Sequence, residues 1–194
     1  MPKKGDTIDD RTLLQGVACR DRGAFEELVR RHQASVYRFA RGLCESDAAA
    51  EDALQETLIA AYRNAASYTG ASSVRSWLFG IAFRQAQKLR RRRAGEPRFF
   101  DSLTDLGVAA GWGAIEDPEE LVRAARQRDC LQLALGDLEV EERAVLVLRD
   151  IEELSGDETA SVLNLSLAAM KSRLHRARLK LAARVRNRRC IDGS

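Results

Sequence analysis

The residues best suited to bind another molecule lie in a basic run near the end of the chain. Nine lysines and arginines and no acidic residue occur between Lys171 and Arg189. A helical projection places four apolar residues on one face: Met170, Leu174, Ala177 and Leu181. The opposite face carries Ser172, His175 and Arg176, with Lys171 at its edge and Arg173 and Arg178 beside the apolar stripe. An α-helix fits the major groove of B-DNA, so this run predicts either a DNA-reading helix or a solvated basic surface.

A second basic run has a composition that suits single-stranded nucleic acid. Seven basic residues and one acid occur between Arg84 and Arg98, directly after a segment with three aromatic residues. Unstacked bases stack on aromatic rings while the strand's phosphates bind Lys and Arg. The alternative is that the aromatic residues belong to the core. The spacing favours a core position for Trp77 more than for Phe79 and Phe83.

Apolar residues at steps of three and four predict the helices that position these groups. In the first half they indicate helices at about 11–19, 22–43 and 47–66 and a fourth that begins near Val74, with Ser46 as a helix cap. One face of the third helix is predicted to carry Ala50, Ala53, Leu54, Leu58, Ala61 and Tyr62. No strand-like alternation of useful length occurs.

In the second half, Ser155 and Glu158 have the spacing of a capping box and begin a short helix that ends at Leu163. Asn164 can take the left-handed conformation that ends a helix, and Ser166 can cap the next helix, which continues to about 185. A helix, a tight turn and a basic helix are the parts of a helix-turn-helix.

The composition limits the class of protein. The 194 residues include 32 Lys and Arg, 29 Asp and Glu, 45% hydrophobic residues, 13 Gly and 3 Pro, which favours a folded and mostly helical chain. No run of about 18 apolar residues predicts a membrane span, and the acidic start does not resemble a signal peptide, so a cytoplasmic protein without membrane insertion is predicted. Four dispersed cysteines and two histidines supply no metal-ligand pattern, so reduced thiols and no cofactor are predicted.

These patterns predict an all-α fold with two helical domains, at residues 10–94 and 121–190, the second of which contains the helix-turn-helix. The segment 95–120 is rich in Gly and Pro and has six acids and no base from Asp101 to Glu120, which is typical of a flexible linker. Its aromatic residues, Phe99, Phe100 and Trp112, are expected to dock on a domain, and the alternative is that they bind a partner. The chain shows no glycine-rich phosphate loop, nucleophile elbow or convergent acid–base set, which argues against an enzyme.

Three segments of the first half resemble region 2 of the extracytoplasmic-function (ECF) sigma factors: AFEELVRRHQASVYRFARGL, AEDALQETLIAAYRNA and SSVRSWLFGIA. The segment LEVEERAVLVLRDIEELSGDETASVLNLSLAAMKSRLHRARLKL resembles region 4 of the same family. The two matches cover about three quarters of the chain, in the family's order. The resemblance implies a dissociable promoter-recognition subunit of bacterial RNA polymerase.

The resemblance also implies a role for each surface. The helix with Asp52, Gln55, Glu56 and Arg63 would dock on the coiled coil of the polymerase's largest subunit, and the polymerase flap is a further expected contact. The minus-ten element of the promoter would be melted and held by the loop and helix with Thr69, Ser72, Ser73, Trp77, Arg84, Lys88, Arg91 and Arg92. The minus-thirty-five element would be read by Lys171, Ser172, Arg173, His175, Arg176 and Arg178. An anti-sigma factor would mask both domains.

The sequence departs from the family pattern at three positions. Arg84 stands where many relatives have Asn, Asn164 replaces a common Gly, and Thr159 replaces a common Ile. Two other classes of binding protein remain as alternative functions for this chain. A helix-turn-helix repressor or response-regulator output domain would leave residues 20–93 without a role. A sigma mimic that sequesters an anti-sigma factor would not need the intact basic face.

Overall fold

The computed structural model describes residues 8–92, 130–131 and 133–188, and these form helices without any strand. The main helices are α1 Asp10–Ala18, α2 Arg22–Leu43, α3 Asp47–Asn64, α4 Val74–Arg92, α5 Val140–Leu146, α6 Gly156–Leu163 and α7 Leu167–Asn187. A 3-10 turn, Ala65–Ser67, extends α3, and a π-helical turn, Val147–Ile151, follows α5. The predicted all-α fold is therefore confirmed for the described part of the chain.

Helices α1 to α4 form the N-terminal bundle. Its first three helices begin with side chains that accept hydrogen bonds from backbone N–H groups: Asp9, Asp21 and Ser46. At its centre, Phe39 of α2 and Phe79 of α4 are fully buried and pack edge to face, with ring centroids 5.2 Å apart. The predicted bounds of α2 and the predicted Ser46 cap are confirmed.

The predicted apolar face of α3 is only partly buried. Ala50, Ala53 and Ala61 are buried. Leu54, Leu58 and Tyr62 are half-buried. These larger side chains line an open groove between α2 and α3.

The C-terminal domain contains the predicted helix-turn-helix. Ser155 and Glu158 form the reciprocal capping box at the start of α6. Asn164 ends α6 in the left-handed conformation, with φ 53° and ψ 52°, and the Ser166 hydroxyl accepts a hydrogen bond from the Ala169 N–H at 3.2 Å. The buried side of α7 consists of Met170, Leu174 and Ala177, and the fourth residue of the predicted core face, Leu181, is half-buried. These local predictions are confirmed, because each depends on signals within a few residues of the turn.

The two domains pack against each other in the described chain. Helix α6 lies on α4, and α5 lies on α2. The predicted linker and its aromatic residues, Phe99, Phe100 and Trp112, lie outside the described residues. The predicted boundaries at 94 and 121 therefore stay predictions.

The cysteines differ from one another in state. Cys19 is an exposed free thiol and Cys44 is a buried free thiol. Cys130 is disulfide-bonded, so the prediction of reduced thiols is wrong at this position. Its sulfur lies 3.7 Å from the carbonyl oxygen of Arg188, a proximity between distant segments that sequence spacing does not reveal. Cys190 lies outside the described residues.

Residues 8–92, 130–131 and 133–188 contain no cluster of three or more His, Cys, Asp or Glu side chains that could hold a metal ion. None of the described helices is long and apolar enough to cross a membrane.

Thr159→Val is expected to stabilise the C-terminal domain. Thr159 is fully buried in α6, and its hydroxyl has no hydrogen-bond partner among the described residues. An unsatisfied buried hydroxyl costs free energy that an apolar side chain of similar shape avoids, so the free energy of unfolding should rise by about 1 kcal/mol. Urea unfolding measures this change.

The matched control is Thr57→Val in α3. Thr57 is equally buried, but its hydroxyl donates a hydrogen bond to the Ala53 carbonyl at 2.6 Å. Thr57→Val should therefore not raise the free energy of unfolding. A lower free energy of unfolding for Thr159→Val would contradict the prediction.

Candidate nucleic-acid and protein interfaces

The N-terminal half of α7 presents a polar face to solvent. Four side chains on this face are exposed: Lys171, Ser172, His175 and Arg176. Within the described residues, Lys171 and Arg176 take part in no ion pair or side-chain hydrogen bond. Arg173 is half-buried at the edge of the face. This end of the helix therefore offers two unpaired cations beside neutral hydrogen-bonding groups.

Most cations of the C-terminal half of α7 are paired within the same domain, whereas Arg186 is exposed and forms no ion pair with another described residue. The Arg178 guanidinium contacts both carboxylate oxygens of Asp150, at 2.5 and 3.1 Å, and this hydrogen bonding raises the pKa of Arg178. The other pairs are Lys180 with Glu142, and Arg184 and Arg188 with Asp137. These cations hold α7 in place, so the predicted DNA contact at Arg178 competes with an existing ion pair.

The outer face of α4 carries a second row of cations. Trp77, Arg84, Lys88 and Arg91 follow one another at steps of seven, four and three residues, which places them on one face of the helix. The Arg84, Lys88, Arg91 and Arg92 side chains are exposed, and none of them forms an ion pair with another described residue. Trp77 is half-buried and packs edge to face on Tyr68, with ring centroids 5.7 Å apart.

The loop before α4 is shaped by contacts at both ends. Gly70 has a φ of +79°, which favours glycine, and its carbonyl accepts a hydrogen bond from Arg11 Nη2 at 3.0 Å. The exposed Thr69 precedes it, and the Ser72 carbonyl accepts a hydrogen bond from the Tyr68 hydroxyl. The loop therefore has a defined conformation at the predicted minus-ten site.

Ser73 is already engaged by the other domain. Its hydroxyl oxygen accepts a hydrogen bond from the Ser76 N–H at 3.1 Å, which caps α4, and its hydroxyl donates to Glu158 Oε1 at 3.1 Å. The Glu158 carboxylate also accepts a hydrogen bond from the Ser155 N–H, and this contact lowers the pKa of Glu158. In this arrangement Ser73 faces a carboxylate of α6.

The preference for Trp77 over the two phenylalanines as a core residue is wrong. Phe79 and Phe83 are buried, whereas Trp77 is half-buried. Periodicity predicted one buried stripe, but α4 packs on α2 and α3 on one side and on α6 on another. Helix α4 therefore buries a wider face than a surface helix does, and Trp77 is the aromatic residue that stays accessible for stacking.

Helix α3 combines the predicted polar face with the groove. Asp52 is half-buried, and Gln55, Glu56 and Arg63 are exposed. The groove has a volume of about 950 Å³ and is lined by side chains of α2 and α3, among them Phe25, Leu54, Gln55, Leu58, Tyr62 and Arg63. Phe25 and Tyr62 pack edge to face, with ring centroids 5.1 Å apart. The sequence placed Leu54, Leu58 and Tyr62 on one face of the helix but did not predict that they line a groove.

Comparisons with known proteins identify the family. The family model described as Sigma-70 region 2 matches residues 28–96, and the model described as Sigma-70, region 4 matches residues 128–181. The RNA polymerase sigma factor CnrH of Cupriavidus metallidurans is 35% identical over 179 residues, which cover 90% of this chain and 93% of CnrH. The ECF RNA polymerase sigma factor SigM of Mycobacterium tuberculosis is 34% identical over 173 residues, which cover 89% of this chain and 83% of SigM.

This chain belongs to the ECF sigma factors of the sigma-70 family. The sigma factor binds core RNA polymerase and directs promoter recognition and transcription initiation, as the resemblance implied. Its fold matches the structure of CnrH in complex with the cytosolic domain of CnrY, with a TM-score of 0.64, 30% identity and coverage of 90% of this chain and 95% of that one. The structure of the sigma factor RpoE bound to the anti-sigma factor NepR from Bartonella quintana has a TM-score of 0.63 at 21% identity and shows the shared fold alone.

The structure groups the predicted site residues of this sigma factor into three surfaces. Helix α7 brings together the predicted minus-thirty-five residues, α4 and its preceding loop bring together the predicted minus-ten residues, and α3 carries the predicted polymerase contacts. The individual roles of these residues stay predictions. The sequence reading missed the groove beside α3 and the contact between Ser73 and Glu158, and no local signal predicts either one.

Proposed function

We propose that this sigma factor reads the minus-thirty-five element with the N-terminal half of α7. The observation that carries the proposal is that the cations at the two ends of the helix differ in their pairing. Lys171 and Arg176 are exposed and unpaired among the described residues, whereas Arg178 and Lys180 bind acids of their own domain. A recognition helix places its N-terminal residues against base edges in the major groove. Cations that are not neutralised within the protein are available for phosphates and guanine edges.

The minus-ten element would be bound by the loop before α4 and by the outer face of α4. Trp77 is the accessible aromatic residue, and the cations at 84, 88 and 91 continue on the same face. A flipped base could stack on such a ring while the backbone phosphates meet the cations. Arg84 occupies a position at which many relatives have Asn, so this chain would contact the strand there through a charge.

The core polymerase would dock on α3, where an apolar groove lies beside Gln55 and Arg63. Apolar area with a few polar anchors is typical of the centre of a protein interface. CnrH was solved in complex with the cytosolic domain of CnrY, and the Bartonella RpoE in complex with the anti-sigma factor NepR. By this likeness we propose that an anti-sigma factor also controls this chain. We further propose that it acts in the cytoplasm, by binding rather than by catalysis.

Arg176→Ala tests the reading face of α7. If Arg176 contacts a base edge through two hydrogen bonds, its loss should cost about 1–3 kcal/mol on the preferred promoter and relax the preference at one base pair. The measurement is initiation by core polymerase with this sigma factor from a library of minus-thirty-five variants, at several salt concentrations.

Lys171→Ala is the matched control on the same helix. If Lys171 contacts a phosphate, its loss should weaken binding evenly across the library and reduce the salt slope by about one unit. Thermal melts should be unchanged for both variants, because both side chains are exposed. Unchanged initiation and unchanged preference for Arg176→Ala would show that this face is not the reader.

A further inference from the structure

Arg11 of α1 reaches the loop at residues 68–73, which precedes α4. Its Nη2 donates a hydrogen bond to the Gly70 carbonyl at 3.0 Å, across 59 positions of the chain. The Arg11 side chain is exposed and forms no ion pair with another described residue. The sequence predictions gave Arg11 no role, although Thr69, next to its partner, is a predicted minus-ten residue. Arg11 therefore joins α1 to a loop that would contact promoter DNA.

The contact between Arg11 and Gly70 requires that residue 70 has no side chain. Gly70 has a φ of +79°, in the left-handed region that favours glycine. A Cβ atom at this position would overlap Arg11 Nη2 and lie 2.8 Å from Arg11 Cζ. The backbone conformation and the available space therefore each require glycine, and the guanidinium lies directly against the backbone of the loop.

The start of α1 is fixed to α2, so Arg11 projects from a rigid support. The Asp9 carboxylate caps the helix by accepting a hydrogen bond from a backbone N–H group of its first turn. The Asp10 carboxylate accepts a hydrogen bond from Arg31 Nη1 at 2.9 Å and lies 2.8 Å from Nε2 of the buried His32. A side chain on an anchored helix places its donor more precisely than one on a mobile segment does.

The loop itself is held at its ends by Tyr68. The Tyr68 hydroxyl donates a hydrogen bond to the Ser72 carbonyl, and the Tyr68 ring packs edge to face on Trp77. A cavity of about 280 Å³ lies between α1 and the loop, and residues of both line it, among them Arg11 and Gly70. Because this space is not filled by side chains, the Arg11 hydrogen bond rather than close packing holds the turn at Gly70.

We propose that Arg11 is a positioning residue for recognition of the minus-ten element. It holds the backbone at Gly70, so that the neighbouring Thr69 and Trp77 face the DNA strand in one conformation. A loop that is already ordered loses less conformational entropy when it binds a partner. Arg11 acts through the backbone of the loop and not through a contact with the DNA. This inference rests on the proposed function of the minus-ten surface.

Arg11→Ala should weaken binding of a minus-ten single strand by about tenfold, because the loop must then be ordered on binding. The measurement is a titration of a fluorescein-labelled strand, with a minus-ten sequence selected from a promoter library, by core polymerase with this sigma factor. The salt slope of binding should not change, because no phosphate contact is lost. A slope reduced by about one unit would make Arg11 a phosphate contact and would overturn the positioning role.

The matched control is Arg30→Ala, which removes the same charge from another helix. Arg30 is an exposed residue of α2 and forms an ion pair with Glu27 in its own helix. The control should bind the strand as tightly as the unmodified protein does. Thermal melts of Arg11→Ala should be unchanged, because its side chain is exposed. Weaker binding together with a lower melting temperature would give Arg11 a stabilising role alone and overturn the inference.

Gly70→Ala tests the same contact from the loop. It should also weaken strand binding, because the added Cβ displaces the guanidinium and the left-handed φ is unfavourable for alanine. In Arg11→Ala with Gly70→Ala, the loss should be smaller than the product of the two single losses, since both changes remove one contact. Losses that multiply would show that the two residues act independently, which contradicts the proposal.

The outcomes separate this inference from the proposed function. The minus-thirty-five duplex, which carries the element selected in the promoter library, should bind all of these variants equally, because its proposed contacts lie in the other domain. If Trp77→Ala leaves strand binding unchanged, the proposed minus-ten surface fails and the positioning role fails with it. If Trp77→Ala weakens strand binding and Arg11→Ala does not, the surface stands and the positioning role is overturned.

Discussion

Phe79→Ala should destabilise the N-terminal bundle by about 3–5 kcal/mol, a large part of the stability of a typical domain. Phe79 is fully buried in α4 and packs against Phe39 at the centre of the bundle. Its truncation removes the transfer free energy of the ring and leaves a cavity between α2 and α4. Urea unfolding followed by circular dichroism gives the change in the free energy of unfolding.

Trp77→Ala is the control on the same helix, two residues away. Trp77 is half-buried and contacts Tyr68 at the loop, so its loss should leave the bundle folded and weaken single-strand binding. The two variants therefore separate a core role from a stacking role. If Phe79→Ala keeps its stability and loses only DNA binding, the aromatic stacking surface includes Phe79 and the core assignment is wrong.

The helix-turn-helix could be predicted almost to the residue because its signals are local. Ser155 with Glu158, Asn164 and Ser166 each fix one end of a helix through a hydrogen bond or a backbone conformation within a few positions. The exposed polar face of α7 followed from the periodicity of its buried side, beginning at Met170. These properties do not require knowledge of any distant contact.

The groove and the domain interface could not be predicted in this way, because they depend on distant contacts. Periodicity showed that Leu58 and Tyr62 lie on an apolar side of α3, but only the packing of α2 shows that they line an open groove. Likewise, Glu152 is one acid in an acidic stretch of sequence. Its burial depends on the π-helical turn before it and on Arg38, 114 positions away in the chain.

Asp52→Ala with Gln55→Ala should weaken binding of the sigma factor to core polymerase by about 2 kcal/mol or more, which is about 30-fold in Kd. Gln55 lines the groove of α3 and Asp52 lies three residues before it on the adjoining face. Polar contacts at the desolvated centre of an interface are costly to remove, because the partner group is then left buried and unpaired. A fluorescence titration of labelled sigma factor with core polymerase measures Kd.

The fold of the double variant should be unaffected, because the buried side of α3 consists of small residues such as Ala50, Ala53 and Thr57, and none of these is changed. Helical content and binding of the minus-thirty-five duplex, which uses the other domain, are the two internal controls. A matched loss in all three measurements would indicate unfolding rather than a lost contact. Unchanged Kd with normal helicity would exclude this polar face and leave the apolar groove, tested next by Leu58→Asp, as the docking surface of α3.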